Sequence, residues 1–188
     1  MNGITEPATL VTDYLLAAFT AVLGWKLWAA GGRPQRWWAA AFGATAVAGV
    51  AGGTVHGFRT LMPDAVTGAL WLLTLEAILA AAAAVVTATM MALEMTPGAR
   101  RGATATVIAG YGAYGIWIAG RPRFVFAIAG YGAALLIVGA FQLRGALSHA
   151  PHAVRLVQGV ALSAVAAVVQ QGGWGPASWF NHNDLYHV

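Results

Sequence analysis

Histidine and carboxylate side chains are the groups of this chain that could do chemistry, because nearly everything around them is apolar. His56, His182 and His187 lie near the ends of apolar stretches, and imidazole is a frequent protein ligand for zinc and related metals. His182 and His187 belong to Trp179-Phe-Asn-His-Asn-Asp-Leu-Tyr-His187, the densest cluster of polar and ionisable groups in the sequence. An ionisable side chain at membrane depth is costly to keep, so its presence there points to function. His182 and His187 stand five residues apart, about 140° around an ideal helix, and do not share a face. Asn183 and Asp184, four and three residues before His187, do share its face. A helical bulge would bring both histidines to one ion. Without one, His187 is the ligand and His182 binds from the side. Asn183, Asp184, Thr54 and Arg59 are the polar groups expected around such a site.

Two carboxylates are candidates for the acid–base work. Asp64 follows Pro63 at the start of the third apolar stretch, where it also suits a helix N-terminus. Glu76 lies twelve residues further along, about 18 Å deeper if the stretch is helical. A carboxylate at that depth pairs, stays protonated or serves chemistry. Asp13, in Thr12-Asp-Tyr14, reads as a helix-start cap. His149 and His152 read as ordinary connector residues.

The elements that must position these groups follow from hydropathy. The chain is 59% hydrophobic and 9% charged, with a mean hydropathy of +0.68. A soluble domain carries about 25% charged residues, so this chain is expected to be an integral membrane protein. A helix needs about 20 apolar residues to cross a bilayer core of about 30 Å. That measure predicts an all-α, seven-helix transmembrane bundle forming a single domain over 1–188, with helices at 11–30, 37–58, 65–92, 103–120, 122–143, 153–171 and 176–188. The stretch after Pro176 reaches only about 18 Å, so the seventh helix is expected to be cut short and to continue in the natural gene. Ile108-Ala-Gly-Tyr-Gly-Ala113 recurs as Ile128-Ala-Gly-Tyr-Gly-Ala133, a pattern that suits close helix packing.

Charge sets the expected orientation. The first, third and fifth connectors hold Lys26, Arg33, Arg36, Arg100, Arg101, Arg144 and Arg155, against Arg59, Arg121 and Arg123 in the second and fourth. Basic residues favour the cytoplasmic side, which places the N-terminus outside. The net charge of +4 is spread thinly over connectors, so nucleic acid is not an expected partner; membrane lipid is. Arginine-, alanine- and glycine-rich composition with a single lysine suggests a bacterial inner membrane. With no cysteine, disulfides, thiolate metal sites and a cysteine nucleophile are excluded. A retinal Schiff base needs a lysine within the bundle, and Lys26 sits at a helix end, so a retinal protein is not expected.

A histidine ending the second helix, an acid on the third and a histidine pair in the seventh resemble the CREST superfamily of seven-helix membrane proteins, which includes the alkaline ceramidases and the progestin and adiponectin receptors. The resemblance covers the predicted topology as a whole. It implies zinc held by three histidines, an acid and a serine supporting the zinc-bound water, and, in the ceramidases, hydrolysis of a lipid amide. His56 matches the helix-two ligand and His187 the second helix-seven ligand. The first ligand of the family's pair falls at Asn183 here, one residue from His182, and the serine position falls at Gly52. The expected function is therefore a zinc-dependent membrane hydrolase of a lipid amide or ester, with metal on His56, His182 and His187 and with Glu76 or Asp64 as general base. The alternative is a non-enzymatic membrane subunit or sensor that binds a metal, a proton or a lipid headgroup at the same cluster.

Overall fold

The computed structural model describes residues 3–175. The expected helix over 176–188, with His182, Asn183, Asp184 and His187, lies outside the described residues. Six helices fill the described part: α1 (Pro7–Ala30), α2 (Arg33–Phe58), α3 (Asp64–Met91), α4 (Pro97–Ala119), α5 (Phe124–Leu147) and α6 (Pro151–Gly172). Each corresponds to one expected stretch, and the fold is all-helical.

The observed helices start earlier than hydropathy predicts, and the reason is proline. Pro7, Pro34, Pro97 and Pro151 sit in the first turns of α1, α2, α4 and α6. Proline has no backbone N–H, and a first helical turn has no use for one. Polar first turns such as Pro97-Gly-Ala-Arg-Arg therefore belong to the helix although an apolar ruler skips them. The Thr96 hydroxyl accepts from the Ala99 N–H at 3.3 Å and caps α4. The fifth helix moves the other way: it begins at Phe124, after Pro122 rather than at it.

Among the described residues, five helices are long and apolar enough to cross a membrane: α1, α2, α3, most of α5 and most of α6. α4 is not among them, since its glycines, threonines and tyrosines dilute its apolar residues. Half of the apolar stretch of α3 is buried, against 6% for α6, so α3 is the centre of the bundle and α6 its rim. α3 packs on α2, α4 and α5. α1 packs on α2, and α6 packs on α5. The core is built of small residues, with Ala77, Ala81, Ala82, Ala84 and Ala88 all buried along α3. Large apolar side chains point outward instead, as Ile116, Leu136 and Leu162 do. That inversion suits a lipid-facing surface, because lipid gives no reward for hiding leucine inside.

The two copies of the six-residue repeat face each other. Tyr111 of α4 donates its hydroxyl to the Gly130 carbonyl of α5 at 3.0 Å, and Tyr114 does the same to Phe126. The link between these helices is made by tyrosine hydroxyls and not by the close backbone approach expected of the repeat, since Gly110, Gly112 and Gly132 have nothing within 4 Å of where a Cβ would be.

Candidate functional site

His56 sits in the last turn of α2, and the residues ahead of α1 hold it there. The Thr5 N–H donates to the Gly57 carbonyl at 3.0 Å, and the Thr5 hydroxyl donates to the His56 carbonyl. The last carbonyls of a helix lack partners within it, and Thr5 supplies them from the neighbouring strand of chain. The next residue, Glu6, places Oε2 3.1 Å from His56 Nδ1 and Oε1 3.9 Å from the Arg59 guanidinium. Glu6 and His56 are both about four-fifths buried. Trp71 of α3 meets the imidazole edge-on, with ring centroids 6.4 Å apart. Its indole N–H is committed to the Pro122 carbonyl at 2.9 Å. One ring nitrogen of His56 is therefore fixed by a carboxylate. The other, Nε2, has no hydrogen-bond partner among the described residues.

A second acid lies close by. Asp13 of α1 is only 4% exposed, and the glycines of α2 make room for it. A Cβ on Gly53 would stand 2.8 Å from Asp13 Cβ, and one on Gly49 would stand 2.9 Å from the Asp13 carbonyl oxygen. Both distances are closer than side chains tolerate, so α1 can approach this far only because both positions are glycine. Asp13 Oδ2 reaches to within 3.8 Å of where a Cβ of Gly52 would be. Gly52 is one helical turn from His56, which brings the carboxylate of α1 and the imidazole of α2 to the same end of the same groove.

Both groups line one cavity of about 630 Å³, within the range of small-molecule sites. Its walls come from α1, α2, α3, α5 and α6. His56, Trp71, Phe124 and Gln170 stand at one end, Asp13 and Thr74 a turn further in, and Thr45, Ala81, Leu135 and Val160 at the other end. The hydroxyls of Thr74 and Thr45 are spent on backbone carbonyls of their own helices, so the threonines add little polarity. No lysine or arginine is among the described lining residues.

The sequence-predicted residues separate accordingly. His56 is at the cavity. Glu76 is not: its carboxylate lies against Gly115 of α4, where a Cβ would fall 2.4 Å from Oε2. Glu76 Oε1 is buried without a hydrogen-bond partner among the described residues. Asp64 is exposed in the first turn of α3 and does not line the cavity. Thr54 bonds Tyr14 at 2.9 Å and the Val50 carbonyl, on the α1-facing side of α2. Arg59 reaches the site through Glu6 alone. Among the described residues no group of three His, Cys, Asp or Glu side chains is placed to hold a metal ion. His182 and His187, the other expected ligands, lie outside the described residues.

Sequence reasoning missed Glu6 at the site and set Asp13 aside as a cap. Asp13 resembles a cap by its position, yet α1 starts six residues earlier at Pro7 and leaves Asp13 in its second turn. A signal was available. Gly49, Gly53 and Gly57 follow one another at intervals of four, the spacing by which glycines let membrane helices touch.

A family model matches residues 8–188, a range that includes Asp13 and His56 and starts just after Glu6. The chain belongs to DUF6962, a family of unknown function. No curated protein and no solved structure matches it.

Proposed function

We propose that this protein is a seven-helix integral membrane protein, of a bacterial inner membrane with its N-terminus outside, that hydrolyses an amide or ester of a lipid-like molecule in the cavity beside His56. The observation that carries the reading is the state of His56. Its Nδ1 is held by Glu6 at 3.1 Å while the residue lines a cavity of ligand size. Metal-binding histidines characteristically give one nitrogen to a carboxylate, which fixes the ring and raises the basicity of the other. The donor chemistry at His56 thus suits zinc, with His182 and His187 as the further ligands. Zinc bound there would lower the pKa of a water and polarise a scissile carbonyl. Asp13, rather than Glu76 or Asp64, lines the same cavity and is the carboxylate suited to hold and return a proton there. The apolar remainder of the cavity would exclude water from an aliphatic chain.

One observation favours a second reading, binding without turnover. Gly52 occupies the position one turn before His56 where a hydroxyl would support a reacting water, and the Thr54 hydroxyl is committed to Tyr14 and Val50. The test is metal analysis of purified protein, followed by assay against long-chain amides and esters. The hydrolase reading expects about one zinc per chain, falling by tenfold or more in His56→Ala and His187→Ala, and turnover that depends on it. Stoichiometric zinc without turnover would leave the binding reading. Protein without zinc, whose content His56→Ala does not change, would end the zinc hydrolase.

A further inference from the structure

Four walls of the cavity agree on its depth. The lining runs from Thr45 to His56 on α2 and from Val160 to Gln170 on α6, with stretches of similar length on α3 and α5. At 1.5 Å per residue each stretch measures about 15–18 Å. A bilayer core is about 30 Å thick, so the cavity is about one leaflet deep. His56 and Asp13 stand toward one end, Thr45, Ala81, Leu135 and Val160 line the other, and Tyr131 and Ser163 lie between. The ionisable end is acidic in character. Asp13 lines it, Glu6 stands behind His56, and the nearest guanidinium, that of Arg59, is directed at Glu6. An anionic headgroup would find no lysine or arginine among the described lining residues and a carboxylate in its way. A group that donates hydrogen bonds would find acceptors.

We propose that the cavity holds a single-chain amphiphile about one leaflet deep, whose polar end donates hydrogen bonds, carries no negative charge and sits at Asp13 and His56. This deepens the hydrolase reading by naming the class of molecule, and it rests on that reading's choice of cavity. It requires neither metal nor turnover. The chain lies along α3 and α5 with its tail toward Ala81 and Leu135. The preference for a donor resides in Asp13, and the length limit resides in the depth of the lining, which ends at Thr45, Ala81, Leu135 and Val160.

The experiment measures binding to the full chain in zwitterionic nanodiscs by isothermal titration calorimetry against empty nanodiscs, using primary alkylamines and the matching fatty acids of increasing length. Referred to the amine free in water, affinity should rise about fourfold per added methylene, as buried CH₂ groups do, and then level off at a length of about half the bilayer core. The amine should bind at least tenfold more tightly than the acid of equal length. Asp13→Asn, which keeps the shape of the side chain, should reduce that ratio to about one while leaving the length limit in place. Val160→Phe, at the far end of the lining, should shorten the limit. Equal or tighter binding of the fatty acid would overturn the proposal, as would affinity that climbs without a limit or a ratio unchanged in Asp13→Asn. Zinc content and hydrolysis are read separately. Loss of both with amine binding intact would sink the hydrolase and leave the amphiphile site standing.

Discussion

Asp13 and Glu76 are both carboxylates on membrane-length helices, and the structure treats them in opposite ways. Around Asp13, α1 and α2 are pressed together over Gly49 and Gly53, and the side chain lines a cavity shared with His56. Around Glu76, a single glycine of α4 leaves space, one carboxylate oxygen is buried without a partner among the described residues, and no His56-lined cavity is in reach. The first arrangement costs close packing across two helix faces. The second costs one unsatisfied oxygen. What the difference teaches is that depth in a membrane helix does not by itself mark a site; the neighbour that the side chain faces decides. Thr74 and Glu76 are two residues apart on α3, about 200° around the helix, and only Thr74 is on the cavity wall.

The contrast breaks most readily at the glycines. Gly53→Leu should cost about 3 kcal/mol or more, since even its Cβ would overlap Asp13 and the helices cannot separate without losing the site. Gly112 of α4 has nothing within 4 Å of a Cβ. Gly112→Ala should therefore stabilise by about 0.5–1 kcal/mol through helix propensity alone. Unfolding midpoints of the two variants in the same detergent check the pair, and similar destabilisation in both would mean that α1–α2 packing is not special. A smaller effect is expected at Glu6. Glu6→Ala removes the partner of a largely buried histidine and should cost about 1–2 kcal/mol, with Glu6→Gln recovering part of it. Nitrogen chemical shifts of the His56 ring, in protein labelled at histidine, should show Nδ1 released in the alanine variant.

Glu76 sharpens the comparison from the other side. Glu76→Met removes the buried oxygen without a partner and keeps the length of the side chain, so it should be neutral or stabilising by up to about 1 kcal/mol. A loss of several kcal/mol, measured by the same unfolding midpoints, would show that the carboxylate has a structural duty at Gly115. The smallest effect belongs to Arg59. Its guanidinium lies 3.9 Å from Glu6 and its side chain is 58% exposed, so Arg59→Gln should change stability by less than about 0.5 kcal/mol. Placing Arg59 in the unfolding series below Glu6 tests whether the histidine, rather than the arginine, is the partner that matters.

Much of the fold was legible because long apolar runs and proline-marked connectors are strong signals, and each of the six described helices lies on an expected stretch. Their first turns were not, since Pro97-Gly-Ala-Arg-Arg is polar and a hydropathy window ends where charge begins. The site was legible in part. His56 stands out as an ionisable group at a helix end, and the structure does bring it to a cavity. Asp13 was hidden because its significance lies in the α2 surface it meets, and hydropathy carries no information about which helix faces which. A membrane helix is apolar on every side, so the face toward Gly49 and Gly53 looks no different from the face toward lipid. Glu6 was hidden for a different reason. It precedes α1 and reaches His56 across fifty residues, through a turn of chain that no local pattern describes.

The join between Thr5 and Gly57 also bears on the order of assembly. It closes a loop made of α1 and α2 alone, and neither partner needs a residue later than Arg59. As the chain is synthesised from its N-terminus, α1 and α2 are complete while α3 to α6 have yet to emerge. The contacts of Glu6 with His56 and of Asp13 with the α2 glycines lie within this helical hairpin, so it carries its acid–imidazole pair before a cavity exists around it. The later helices are then laid against a surface whose charged groups are already in place.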